Sequence, residues 1–149
     1  MTFQPKAWLK SRKNKLSSFL SLSLAEKLLL INALFLIWAI TLGLYILPFR
    51  VLRRLTSRAP AAEIDSSVSV KRLIWSVDVA GQFVPGAKCL ARAMAAQVLL
   101  AGHGRRAQLR IGVAKSESQL QAHAWLEDGG RVLIGGSVSD YKPLPLECS

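Results

Sequence analysis

Residues 86 to 104, GAKCLARAMAAQVLLAGHG, set Cys89 beside Lys88, behind a Pro-Gly turn and at the start of an apolar-periodic run. A thiol at a helix N-terminus faces unpaired N–H groups and the positive end of the helix dipole, and both favour a thiolate. The same N–H groups can hold the oxyanion of an acyl-transfer step. Downstream, LQAHAWLED supplies His123. A histidine within reach of such a thiol takes its proton and later returns one to a leaving amine, which is nucleophilic catalysis through a thioester. Plain packing is the competing reading, with Cys89 a small buried apolar residue and His123 a satisfied strand histidine.

For that chemistry a helix must present the thiol and a strand the imidazole. From about Ala87 to Ala101, apolar residues recur at Leu90, Met94, Val98 and Ala101, the period of a half-buried helix, and Gly102 to Gly104 end it. The period then changes to two. AQLRIGVAK sets Ala107, Leu109, Ile111 and Val113 against Gln108, Arg110, Gly112 and Ala114. LQAHAWLED sets Leu120, Ala122, Ala124 and Leu126 against Gln121, His123, Trp125 and Glu127. DGG at 128 to 130 turns the chain into RVLIGG, so an antiparallel meander follows the helix. His123 and Trp125 share the face opposite the apolar one, which is how a strand offers a working side chain to a cleft. Before the turn, Val70, Leu73, Ile74 and Val77 predict a further short amphipathic helix.

Upstream, Ser23 followed by Glu26 forms a capping box that starts a helix at about Leu24, and Pro48 stops it. No charge interrupts Leu28 to Leu47, and twenty residues at helical rise reach about 30 Å, the depth of a bilayer core. Lys6, Lys10, Arg12, Lys13, Lys15 and Lys27 precede the run, and Arg50, Arg53, Arg54 and Arg58 follow it, so the positive-inside rule gives no orientation. A span, a surface helix and a buried helix of a helical subdomain all remain open, Asn32, Thr41 and Gly43 speaking for the last. A signal peptide does not fit, because the run is long and four arginines precede the APA at 59 to 61. Residues 1–22 are expected to be a basic tail, and TSRAPAAEIDSSVSV, 56 to 70, a linker. The chain therefore divides into a basic, hydrophobic helical region, 1–62, and a second region, 63–149.

The 149 residues suit one domain, and 51% hydrophobic with 19% charged residues calls for a core or a membrane. The net charge of +11 resides mainly in residues 1 to 62, which hold ten basic residues and one acid. Those bases flank an apolar run, with no zinc spacing and no base-reading helix or aromatic pattern, so nucleic acid is not the expected partner. Two cysteines make no disulfide framework, and a reducing compartment, the cytoplasm, fits. No metal cluster and no phosphate loop is present, so no cofactor is expected.

The segments CLARAMA, LRIGV and AHAWLE, within about residues 70 to 146, resemble the C-terminal peptidase domain of the B proteins of lasso-peptide biosynthesis. Those proteins are transglutaminase-like, papain-like cysteine proteases. ALFLIWAITLGLYILPFRVLRRL is similar to the stretch before that domain. The resemblance implies an α+β fold, with a Cys-bearing helix on an antiparallel sheet behind the N-terminal hydrophobic helix. It also implies Cys89 as nucleophile, His123 as general base, and removal of the leader from a ribosomally made precursor peptide. The third residue, an Asp just after the strand that follows the histidine, is replaced by Gly135 and Gly136, so Asp140 is the substitute candidate and Asp128 the less favoured one. The implied partners are the precursor, a leader-recognition protein expected to be separate because the chain is short, and an ATP-dependent macrolactam synthetase.

Gln82 is a candidate oxyanion donor against the reading of an exposed helical glutamine. Trp125 is expected to wall the site, or simply to pack. His103 is expected to serve a helix C-terminus. Arg105, Arg106 and Arg110 form a solvated face or receive an acidic leader. Cys148 reads as a free tail thiol. Two other functions remain open: acyl transfer to an amine through the same thioester, and a non-catalytic membrane-associated scaffold.

Overall fold

A computed structural model of the chain describes residues 23–58, 68–115, 120–136 and 138–144. The expected basic tail, most of the expected linker and Cys148 lie outside these residues. Four helices and a four-stranded sheet follow in order: α1 Leu24–Ile46, α2 Phe49–Ser57, α3 Val70–Gly81, α4 Cys89–Ala101, β1 Gln108–Lys115, β2 Leu120–Asp128, β3 Arg131–Ile134 and β4 Lys142–Pro143.

The helix α1 starts where its capping box places it. Ser23 Oγ accepts from the Glu26 N–H at 3.3 Å, and Glu26 Oε2 accepts from the Ser23 N–H at 3.0 Å. Pro48 ends it but also becomes the N-cap of α2, a helix the sequence reading did not anticipate. One stripe of α1, Leu30, Ala33, Ile37 and Ile40, is buried, and most of these residues join the core formed by α3, α4 and the sheet. Its opposite face leaves Leu28, Phe35, Trp38 and Leu42 exposed. By length and composition α1 is the one helix among the described residues able to cross a membrane.

The helix α4 is the centre of the molecule. The expected stripe through Leu90 and Val98 is only half-buried, whereas Ala91, Ala93, Met94, Ala95, Ala96, Leu99 and Leu100 are buried. A wider face is covered than the sequence period suggested, because α4 touches α1, α2, α3 and the sheet together. Alanines on several sides let these neighbours approach closely.

The sheet is antiparallel in the order β3-β2-β1-β4. The predicted meander supplies three strands, and the chain then returns to place β4 against β1 at Gly112 and Val113. In β2 the predicted alternation holds only in part. Leu120 and Ala122 are exposed while Ala124, Trp125 and Leu126 are all buried, so the strand enters the core only in its second half.

Candidate active site

Cys89 is the first residue of α4, and the geometry there differs from that of two other helices. Ser23 and Ser69 cap α1 and α3 with their side chains, but Lys88, the N-cap of α4, makes no side-chain cap hydrogen bond. The first N–H groups of α4 therefore keep their capacity for an anion. Gly86, in the turn just before, has φ +81°, and this turn sets the thiol at the mouth of the helix.

His123 lies mid-strand on β2, opposite Gly112 of β1. Its Nε2 is 2.5 Å from the Gly135 carbonyl oxygen. A carbonyl only accepts, so Nε2 must carry the proton and donate. In the neutral ring Nδ1 is then the basic nitrogen. The ring also has Tyr141 at 5.0 Å and Trp125 at 6.4 Å between centroids, which hold it from two sides.

Cys89 and His123 line one cavity of about 400 Å³, together with Asp78, Ala87, Arg92, Ile134, Gly135 and Gly136. Helix α3 brings Asp78, the turn before α4 brings Ala87, helix α4 brings Cys89 and Arg92 one turn apart, and β2, the end of β3 and the two glycines after it bring the rest. The chemistry available to such an arrangement is attack by sulfur, with proton transfer to imidazole and an oxyanion at the helix N-terminus.

Asp140 is exposed, its Oδ1 3.5 Å from Ser139 Oγ, and it does not line this cavity. The position on His123 expected of an Asp is filled by the Gly135 main-chain oxygen. Gly135 has φ +120°, and a Cβ there would stand 2.5 Å from Trp125 Cβ and 3.0 Å from its Cα. Close approach to the buried tryptophan excludes a side chain, so the backbone supplies the acceptor instead. Asp128 sits at the far end of β2, as expected.

Asp78 and Arg92 carry the cavity's charge, and sequence reading passed over both. Arg92 Nη2 donates to the Gly81 carbonyl at 2.8 Å, and Arg92 Nε is buried without a partner among the described residues. A Cβ on Gly81 would lie 2.5 Å from that Nε, so glycine is what lets the guanidinium rest on α3. Although Asp78 is exposed as a residue, partial burial of its carboxylate raises its pKa above the ordinary value, with the Arg92 charge opposing. The one signal in the sequence was Arg92 at i+3 from Cys89, a spacing that shares a helix face.

The other expected residues have separate places. Gln82 is the exposed C-cap of α3 and does not line the cavity. Trp125 is buried and braces the histidine and Gly135 without lining the cavity. His103 Nδ1 donates to the Leu99 carbonyl at 2.8 Å, serving the end of α4. Arg110 pairs with Glu127 at 3.5 Å.

No curated protein and no solved structure matches the chain. A family model does match, that of the transglutaminase-like superfamily core, over residues 34–145. The match takes in the second half of α1 as well as the thiol helix and the histidine strand, in agreement with the packing of α1 into the core. The α+β architecture, the Cys-bearing helix and the antiparallel sheet agree with that finding, and the chain belongs to the transglutaminase-like superfamily.

Proposed function

We propose that the protein is a cysteine peptidase that removes the leader from a lasso-peptide precursor. The observation that carries the chemistry is the shared cavity, in which Cys89 begins an uncapped helix and His123 is held with Nε2 as its protonated nitrogen. The leader-peptide assignment rests on the resemblance of CLARAMA, LRIGV and AHAWLE to the B-protein peptidases.

In this reading Nδ1 of His123 takes the Cys89 proton as sulfur attacks the scissile carbonyl. The oxyanion is held by N–H groups of the first turn of α4. As the C–N bond breaks, the imidazolium returns the proton to the leaving amine, and a thioester remains on Cys89. Water, deprotonated by the same nitrogen, then attacks the thioester, releasing the acid and restoring the thiol. The Gly135 carbonyl fixes the ring, the part expected of Asp140, and as a neutral group it stabilises the imidazolium less than a carboxylate does. An amine in place of water would make the enzyme an acyl transferase, a reading that the superfamily supports.

The precursor, a separate leader-recognition protein and an ATP-dependent macrolactam synthetase belong to the same proposal as partners. So does a cytoplasmic location with membrane contact through the exposed apolar face of α1, flanked as it is by bases.

The test is mass spectrometry of a cognate precursor incubated with wild type and with Cys89→Ala, each with and without the recognition protein. Free leader and an amine-ended core from wild type only is the expected result. A product in which the leader carries an added amine assigns acyl transfer. Intact precursor in every tube, with the recognition protein shown to bind the leader, leaves the scaffold reading.

A further inference from the structure

A second cavity, of about 840 Å³, opens at the other end of α4, among the C-terminal ends of α2 and α4, the start of β1 and the β2–β3 turn. Arg58, Arg105 and Arg106 line it. Of the acids beside them, Glu127 is engaged by Arg110 at 3.5 Å and by Trp125 Nε1 at 3.4 Å, leaving Asp128 against three guanidinium groups.

Two buried polar atoms of lining residues have no partner among the described residues, Gln97 Oε1 and Arg105 Nε. The Gln97 amide is oriented by its own Nε2, which donates to the Ala107 carbonyl at 3.1 Å, so the unpartnered atom is an acceptor. Arg105 Nε is a donor. Leaving buried donors and acceptors unpaired is costly, so a ligand that offers both an N–H and an oxygen is favoured there. Cationic walls add a preference for carboxylate, which guanidinium groups bind in pairs of hydrogen bonds.

We propose that this cavity binds an acidic segment of a peptide, a main-chain N–H meeting Gln97 Oε1 and a carbonyl or carboxylate meeting Arg105 Nε. Arg58 and Arg106 face its acidic side chains. Both α4 and β2 run from the Cys89 cavity to this one. From Cys89 to Gln97 and Ala101 the helix rises about 12 to 18 Å, a distance covered by about four to six extended residues. A substrate peptide held here can therefore keep its reacting bond at Cys89, a corollary that rests on the proposed function, whereas the binding itself does not.

Fluorescence anisotropy with the full chain tests it, using a fluorescein-labelled hexapeptide of Ser and Glu, its Ser and Lys counterpart, and inorganic phosphate as competitor. Arg105→Gln and Gln97→Met are each expected to weaken the acidic peptide about tenfold. Arg50→Gln removes the same charge outside the cavity and is expected to change binding by under about twofold. Circular dichroism checks that each variant is folded. Cys89→Ala should bind as wild type does, so loss of cleavage and loss of binding are read separately. Equal weakening by Arg50→Gln and Arg105→Gln, no preference for Glu over Lys, or displacement by phosphate at concentrations as low as those of unlabelled peptide would each overturn the proposal.

Discussion

Replacing Gly135 by Ala probes how the histidine is held. The new Cβ would lie 2.5 Å from Trp125 Cβ and 3.0 Å from Trp125 Cα, atoms at the backbone of a buried strand that no rotamer change can move. Overpacking of this kind costs about 1 to 3 kcal/mol. An L-residue kept at φ +120° adds strain of about 1 to 3 kcal/mol. With both terms present the loss is about 4 kcal/mol, a large part of the roughly 5 to 15 kcal/mol that holds a domain together. For a chain of this size each kcal/mol lowers Tm by roughly 2 to 4 °C, so thermal unfolding followed by circular dichroism should fall by about 10 °C. If the chain relaxes instead, the Gly135 carbonyl moves away from His123 Nε2, and cleavage falls about tenfold for the loss of that hydrogen bond. Gly136→Ala is the comparison, since a Cβ there meets nothing within 4 Å and bears only the cost of φ +71°, about 1 to 2 kcal/mol. Gly135→Ala with wild-type Tm and wild-type turnover would refute the account of the carbonyl as the histidine's anchor.

Met94 is fully buried in the middle of α4, and Met94→Ala should cost about 3 kcal/mol in urea denaturation; a loss under about 1 kcal/mol would mean that the α4 core collapses around the gap. The Glu26 carboxyl is held below its ordinary value of 4.5, chiefly by the Ser23 backbone N–H, then by the Ser23 hydroxyl and Arg72. Its contribution is therefore complete above the unfolded pKa and lost as pH falls through the lower folded value. Wild type should exceed Glu26→Gln in Tm at pH 7 and match it at about pH 2, and a constant gap would contradict this. Asp78 has the opposite sign, since burial raises its folded pKa, so its ionised form costs stability at neutral pH and the cost vanishes in acid. Asp78→Asn should raise Tm at pH 7 and leave it unchanged at low pH, whereas a lower Tm at pH 7 would show that attraction to Arg92 outweighs desolvation.

Much of the local structure was written in short-range signals. The Ser23–Glu26 box set the start of α1 to the residue, and the change of period after Gly104 separated α4 from β1 and β2. Both signals act within one turn or one strand, where propensity and capping decide. The placement of Cys89 and His123 was legible for a similar reason, because a thiol at a helix start and a histidine within a strand are positional statements. The acceptor on the histidine was not legible, because it is the Gly135 main-chain carbonyl, which has no letter in the sequence, and not the Asp140 carboxylate.

The tertiary structure decided which of several equivalent local readings was realised. The apolar run of α1 suited a membrane, its surface or a protein interior equally, and only the packing of Ala33, Ile37 and Ile40 against the other helices made one stripe of it core. The buried face of α4 was set by neighbours on several sides, which a single helical period does not encode. Asp78, Arg92 and Gly135 entered the site because α3, α4 and the β2–β3 hairpin meet at one cavity. Sequence determined most of the elements and where Cys89 and His123 stand within them, since these depend on neighbours along the chain; the acceptor on His123 and the charges around the thiol depend on residues brought together across it, and only the fold supplied them.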